Sequence, residues 1–150
     1  MVHFLHILAG VLWGGGTYVF ALLVFPAMAR QPAAEAGRLW HLMAPMTGPV
    51  MAASAGIAMV FGLWRASQAL TSFDSLFLTG YGWAVIASVV LWGALGATGA
   101  RFRKALVALM EDPARYSADA PSLARRAGLV DCALMTLLIG LMALMGLAVV

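Results

Sequence analysis

Four long apolar runs dominate the chain, and short segments that carry most of the charge separate them. The runs are continuously apolar, without the alternation of apolar and polar positions that marks the strands of a membrane barrel. A helix needs roughly 20 such residues to span a bilayer. The pattern therefore predicts an all-α protein, a transmembrane four-helix bundle in a single domain, with spans at about residues 2–29, 39–64, 76–100 and 127–150.

Composition excludes a water-soluble protein. Hydrophobic residues make up 63% of the 150 residues and charged residues 10%, whereas soluble domains average about 45–50% and about 25%. A soluble globule of this size could not cover so much apolar surface with a polar skin. We therefore expect a multi-pass protein whose main partner is membrane lipid. The single cysteine also excludes an intrachain disulfide.

Basic residues predict the orientation in the membrane. Cytoplasmic loops are enriched in Lys and Arg, and all nine except Arg65 fall in the first and third loops. Both termini are then expected on the outer, periplasmic side of a bacterial plasma membrane. No nucleic-acid partner is indicated, because the basic residues lie in loops between apolar runs. Residues 101–110 read equally well as an interfacial amphipathic helix and as an extension of the third span.

Small residues recur four positions apart in the first three spans, where they allow helix backbones to approach closely. The positions are Gly10 and Gly14, then Gly48, Ala52 and Gly56, then Ala84 and Ser88. They would serve either a compact bundle or a homodimer, and the sequence leaves both open.

Ionisable side chains are scarce within the spans, and each is a candidate functional group because it is costly to bury in lipid. His6 lies in the outer part of the first span, whereas His41, Asp131 and Cys132 lie near inner ends. At a rise of about 1.5 Å per residue, His6 and His41 are about 25–30 Å apart along the membrane normal. One metal ion therefore cannot bind both within one chain.

His6 is the candidate axial ligand of a haem b, because haem sites in bundles are built from side chains that project inward from facing helices. A porphyrin or quinone from the lipid would be the matching partner, and a second copy of His6 in a dimer is one candidate for the other ligand. The remaining candidates are Met59, Met142 and Met145 as second ligand, Trp13 beside the porphyrin, and Arg65 and Tyr81 at its propionates.

A second hypothesis is copper handling, since thioether and imidazole ligands suit Cu(I). The candidate ligands are His41, Met43 and Met46. A third class is a non-catalytic subunit of a larger membrane complex.

Ordinary structural explanations stand beside these hypotheses. Methionines also serve as flexible core filling, histidines near span ends as interfacial hydrogen-bonding groups, and Trp13 as a packing residue. Asp131 is expected to cap a helix or to pair with Arg30, Arg101 or Arg126. Cys132 is expected to be a small buried hydrophobe.

The first two spans resemble a known group of proteins. Their motifs are Leu5-His6-Ile7, Trp13-Gly14-Gly15 and Leu23-Val24-Phe25-Pro26 in the first span, and Met43-Ala44-Pro45 and Gly62-Leu63-Trp64 in the second. These motifs are similar to those of the small four-helix membrane proteins of the HemJ-type protoporphyrinogen oxidase and CopD-like group. The resemblance implies haem b bound by His6, with electron transfer or porphyrin oxidation as the activity, and its CopD-like side implies copper transport.

The chain departs from the HemJ type at one position of the third span. The HemJ-type oxidases carry a lysine shortly after a tryptophan there, whereas here Trp83 is followed by Ala84-Val85-Ile86-Ala87. The broader expectation is therefore a haem b protein of electron transfer or porphyrin-related oxidation.

Overall fold

The computed structural model describes residues 1–147, which form helices and turns and no strand. Every helix except the short α3 is long and apolar enough to span a membrane. The predicted all-α fold, with four helices long and apolar enough to span a membrane, is therefore confirmed, although residues 148–150 of the predicted fourth span lie outside the described residues. The helices are α1 (Val2–Met28), α2 (Ala33–Ala69), α3 (Ser75–Leu78), α4 (Gly80–Met110) and α5 (Pro113–Gly146).

The long helices form a closed ring of antiparallel neighbours. The most extensive contacts join α1 to α2 and α4 to α5, and the two pairs meet along α1–α5 and α2–α4. Hydrogen bonds show the opposite directions of α1 and α5, because Tyr18 contacts Thr136 while Met28, later in α1, contacts Tyr116, earlier in α5. We call the end with the α1–α2 and α4–α5 turns the basic end, and the opposite end the His6 end.

The third span begins later than predicted. Residues 76–79 were expected to belong to it, but Ser75–Leu78 form the separate helix α3, which ends in extended backbone at Thr79 (φ −118°, ψ 151°). The Thr79 hydroxyl then caps α4 by accepting a hydrogen bond from the Gly82 N–H at 3.0 Å. Gly82 is required here, because a Cβ would overlap the backbone carbonyl of Leu76.

Helix α1 contains a π-helical turn at Phe20–Val24, after which the N–H of Phe25 bonds to the carbonyl of Phe20. Pro26 follows, and because proline has no N–H, it offers no donor to the carbonyls in the preceding turn. One of these, the Ala21 carbonyl, lies against α5, where a Cβ on Gly128 would be 2.8 Å from its oxygen. The backbones of α1 and α5 therefore meet at this point.

Helices α4 and α5 are longer than a membrane requires. Their 31 and 34 residues correspond to roughly 46 and 51 Å, against about 30 Å of hydrocarbon. The additional length forms a helical hairpin at the basic end, where the Asp112 carboxylate caps α5 by accepting from the N–H groups of Ala114 and Arg115. Of the two interpretations of residues 101–110, the extension of the third span is therefore the correct one.

The largest buried core lies at the basic end. Leu106 is fully buried there, and the Tyr116 hydroxyl, also buried, donates to the Met28 carbonyl at 2.9 Å. Phe25 packs edge-on against Phe102 at 4.6 Å between ring centroids. The buried members of this cluster are Ala29, Ala33, Ala36, Phe102, Leu106, Tyr116, Ala120 and Ala124.

Candidate functional site

His6 projects from α1 onto the backbone of α2. Its Nδ1 lies 2.8 Å from the Ala58 carbonyl oxygen. Because a carbonyl can only accept, Nδ1 donates this bond, and in the neutral imidazole Nε2 then holds the lone pair. The half-buried ring lies against Gly62, where a Cβ would be 2.9 Å from the His6 Cε1. Only a glycine at position 62 leaves room for this contact.

The bond to Ala58 fits two roles for the imidazole. Histidines that bind a metal commonly donate one ring N–H to a backbone carbonyl, which fixes the tautomer and leaves the other nitrogen for the metal. The same kind of bond also joins helices, as Trp92 shows when its indole N–H donates to the Ala55 carbonyl at 3.2 Å. Side chains of α1 and α4 therefore converge on α2 within one turn, at Ala55 and Ala58.

Arg65 and Met59 lie close to His6 along α2. Arg65 is three positions beyond Gly62 and seven beyond Ala58, so it lies on the face of α2 that meets α1, and its side chain is exposed. Met59 is at the level of His6 but about 100° around the helix from Ala58, and it is half-buried.

Trp13 and Met142 pack against the same buried cluster in the middle of the bundle. This second, smaller cluster is formed by Leu95, Met135 and Leu138. Each side chain therefore serves as core packing. The cluster lies between the His6 end and the basic end. Tyr81, in the first turn of α4, and Met145, in the last part of α5, are half-buried.

The predicted copper ligands differ in exposure along α2. His41 is exposed and Met46 is 74% exposed, so both lie on the outside of the bundle, whereas Met43 lines an apolar groove with Met28. Across residues 1–147, no three or more His, Cys, Asp or Glu side chains are grouped so as to hold a metal ion.

Asp131 has a different partner from those expected. This carboxylate is 9% exposed, and the Thr98 hydroxyl of α4 donates to it at 2.7 Å. Arg30, Arg101 and Arg126 do not pair with it, since the only ion pair in the described part of the chain joins Arg38 to Glu35. The sequence could have indicated this pair, because Thr98 is a hydroxyl residue of the neighbouring span at the same depth as Asp131. The free thiol Cys132 is half-buried.

Comparison of the chain with known protein families, with curated proteins and with solved structures finds no match in any of the three. The resemblance carried by the motifs around His6 and Gly62 therefore stays a prediction.

Proposed function

We propose that the protein binds haem b through His6 and acts in electron transfer or in the oxidation of a porphyrin. The observation that carries this proposal is the hydrogen bond from His6 Nδ1 to the Ala58 carbonyl, because it leaves Nε2 with the lone pair that an iron ligand needs. When bound, the haem would supply one-electron chemistry, and the residues around it would orient it and exclude water.

The side chains near His6 fit such a group. Arg65 lies one turn beyond Gly62 on the same face of α2 and would pair with a propionate. Tyr81 at the start of α4 would add a hydrogen-bond donor.

Thioether groups supply the candidates for a second axial ligand. Met59 lies at the level of His6, and Met142 and Met145 lie three positions apart on α5. Of the three, Met59 is the one whose depth relative to His6 is fixed by a contact, because His6 bonds to Ala58, one position before it in α2. Trp13 would lie two turns from His6 on α1, toward the bundle centre.

The proposed function includes an orientation in the membrane. Loops rich in Lys and Arg face the cytoplasm, so the basic end would be cytoplasmic and the His6 end periplasmic in a bacterial plasma membrane. The apolar outer faces of α1 and α2 would admit a porphyrin or a quinone from the lipid. A homodimer would bring two such sites together.

An absorption spectrum of the protein purified from haem-supplied cells tests the proposal. We expect a Soret band in the wild type and its loss in His6→Ala. His3→Ala is the matched control, because His3 is an exposed histidine on the same helix, and this variant should keep the band. A wild-type protein without a Soret band, or equal loss in both variants, would refute the assignment.

Gly62→Ala gives a second, independent test. The added methyl group overlaps the His6 ring and should move it away from Ala58, which we expect to shift or weaken the Soret band. Gly56→Ala, in the same helix and with open space around it, should leave the spectrum unchanged. Bound copper without porphyrin, lost when Met43 or Met46 is changed, would favour copper handling instead.

A further inference from the structure

An open groove runs between the second half of α1 and the first half of α5, near the basic end. Its volume is about 370 Å³. Leu22 and Pro26 of α1 form one wall, and Pro121 and Leu129 of α5 form the other. Ala21 and Gly128, whose backbones meet, also line it. The groove is thus largely apolar and lies where two membrane-spanning helices touch.

Two arginines line the same groove, Arg30 from the turn after α1 and Arg125 from α5. Arg125 lies just before the apolar run of α5, and Arg30 just after that of α1. Both side chains are exposed, and neither pairs with a carboxylate in residues 1–147, where Arg38 and Glu35 form the only ion pair. Two positive charges therefore lie at the apolar–polar boundary beside apolar walls.

We propose that this groove binds one anionic phospholipid, with its phosphate at Arg30 and Arg125 and its acyl chains along Leu22, Pro26 and Leu129. Guanidinium groups match phosphate oxygens in geometry and charge, and basic pockets between spanning helices are sites of anionic headgroups. The two arginines match a negatively charged headgroup, and the apolar walls match an acyl chain, so a ligand with both parts fits the whole groove. A bilayer presents that combination at this depth.

Backbone constraints shape the groove, so it exists before a lipid enters. On one wall, Pro26 follows the π-helical turn of α1, and on the other, Pro121 lies inside α5. Gly128 permits the contact with the Ala21 carbonyl. A free phosphate ion would contact the two arginines and leave the apolar walls uncovered. Changes to the apolar walls should therefore affect binding of a lipid and leave binding of free phosphate unaffected.

Native mass spectrometry of protein released from membranes with equal phosphatidylglycerol and phosphatidylcholine tests the proposal. We expect the wild type to retain one phosphatidylglycerol. The double variant R30Q/R125Q should lose about twenty-five-fold in preference, because each arginine beside an anionic lipid contributes a factor of about five. R101Q/R115Q removes the same charge from the same end and should keep the wild-type preference. Equal loss in both double variants would overturn the proposal.

A variant that fills the groove tests the apolar half of the site. Leu129→Trp leaves both arginines in place and should still reduce retention of phosphatidylglycerol. Inorganic phosphate at the same concentration as the lipid should not displace it. Unchanged retention in Leu129→Trp, or displacement by phosphate, would show a free-anion site and overturn the lipid assignment.

Discussion

The two ends of the bundle are held together by different means. At the basic end, the α4–α5 hairpin, the start of α2 and the end of α1 enclose a buried core around Leu106 and Tyr116. Toward the His6 end, backbone carbonyls of α2 accept hydrogen bonds from His6 and Trp92, and large apolar side chains lie on the outside.

The surroundings of the two regions explain this difference. The hairpin extends beyond the apolar runs, where water drives apolar side chains together. Within the runs, lipid is as apolar as leucine, so packing of small residues and hydrogen bonds between helices replace that driving force. Buried area is therefore a guide to stability at the basic end and a poor one at the His6 end, where the candidate site lies.

The largest effect should come from the core at the basic end. Leu106→Ala removes a fully buried side chain and is expected to lower the free energy of unfolding by about 3 kcal/mol, from lost burial and the cavity left behind. Leu137→Ala, at a 59% exposed position of α5, is the control and should cost less than half as much. Unfolding in mixed detergent micelles, followed by circular dichroism, measures both. Equal costs would show that the two regions do not differ.

A smaller effect is expected where α1 and α5 meet. Gly128→Ala places a methyl group against the rigid Ala21 carbonyl rather than against a flexible side chain, which we expect to cost about 2 kcal/mol. Gly140→Ala, on the same helix with open space around it, should be neutral or slightly stabilising because alanine favours helix. The same unfolding assay compares them, and an unchanged Gly128→Ala would contradict the close backbone contact.

The smallest effect concerns the hydrogen bond between α4 and α5. Thr98→Val leaves the Asp131 carboxylate without its donor and should cost about 1–2 kcal/mol. Thr47→Val is the matched control, since the Thr47 hydroxyl bonds only within its own helix, to the Met43 carbonyl.

A double variant completes this third test. Asp131→Leu in the Thr98→Val background should recover part of the loss, because replacing both partners with apolar groups is nearly neutral. Additive losses in the unfolding assay would show that the two side chains do not depend on each other.

The spans were predictable because a bilayer demands long apolar helices, and no other pattern in the chain competes with that signal. The break at Thr79 was missed because residues 76–78 are as apolar as the span that follows. The sequence did not decide between the two interpretations of residues 101–110, because these helical residues carry charges on one side and apolar groups on the other. That amphipathic pattern fits both a membrane surface and a packed extension.

The candidate site was predictable only in part. The depth of His6, level with Met59, followed from counting residues along two helices. Its contact with the Ala58 carbonyl did not, because backbone acceptors leave no trace in the side-chain pattern. Gly62 did not stand out either, because other glycines inside the long helices, such as Gly56 and Gly140, have open space around them.

The π-helical turn of α1 has a geometrical consequence for the whole bundle. It holds about one more residue than an α-helical turn, so the two halves of α1 differ in phase by about 100°. Removing one residue from Phe20–Val24 would rotate one half relative to the other. Either His6 would turn away from α2, or Met28 would turn away from Tyr116. The extra residue therefore allows one continuous helix to direct His6 toward α2 at one end and Met28 toward Tyr116 at the other.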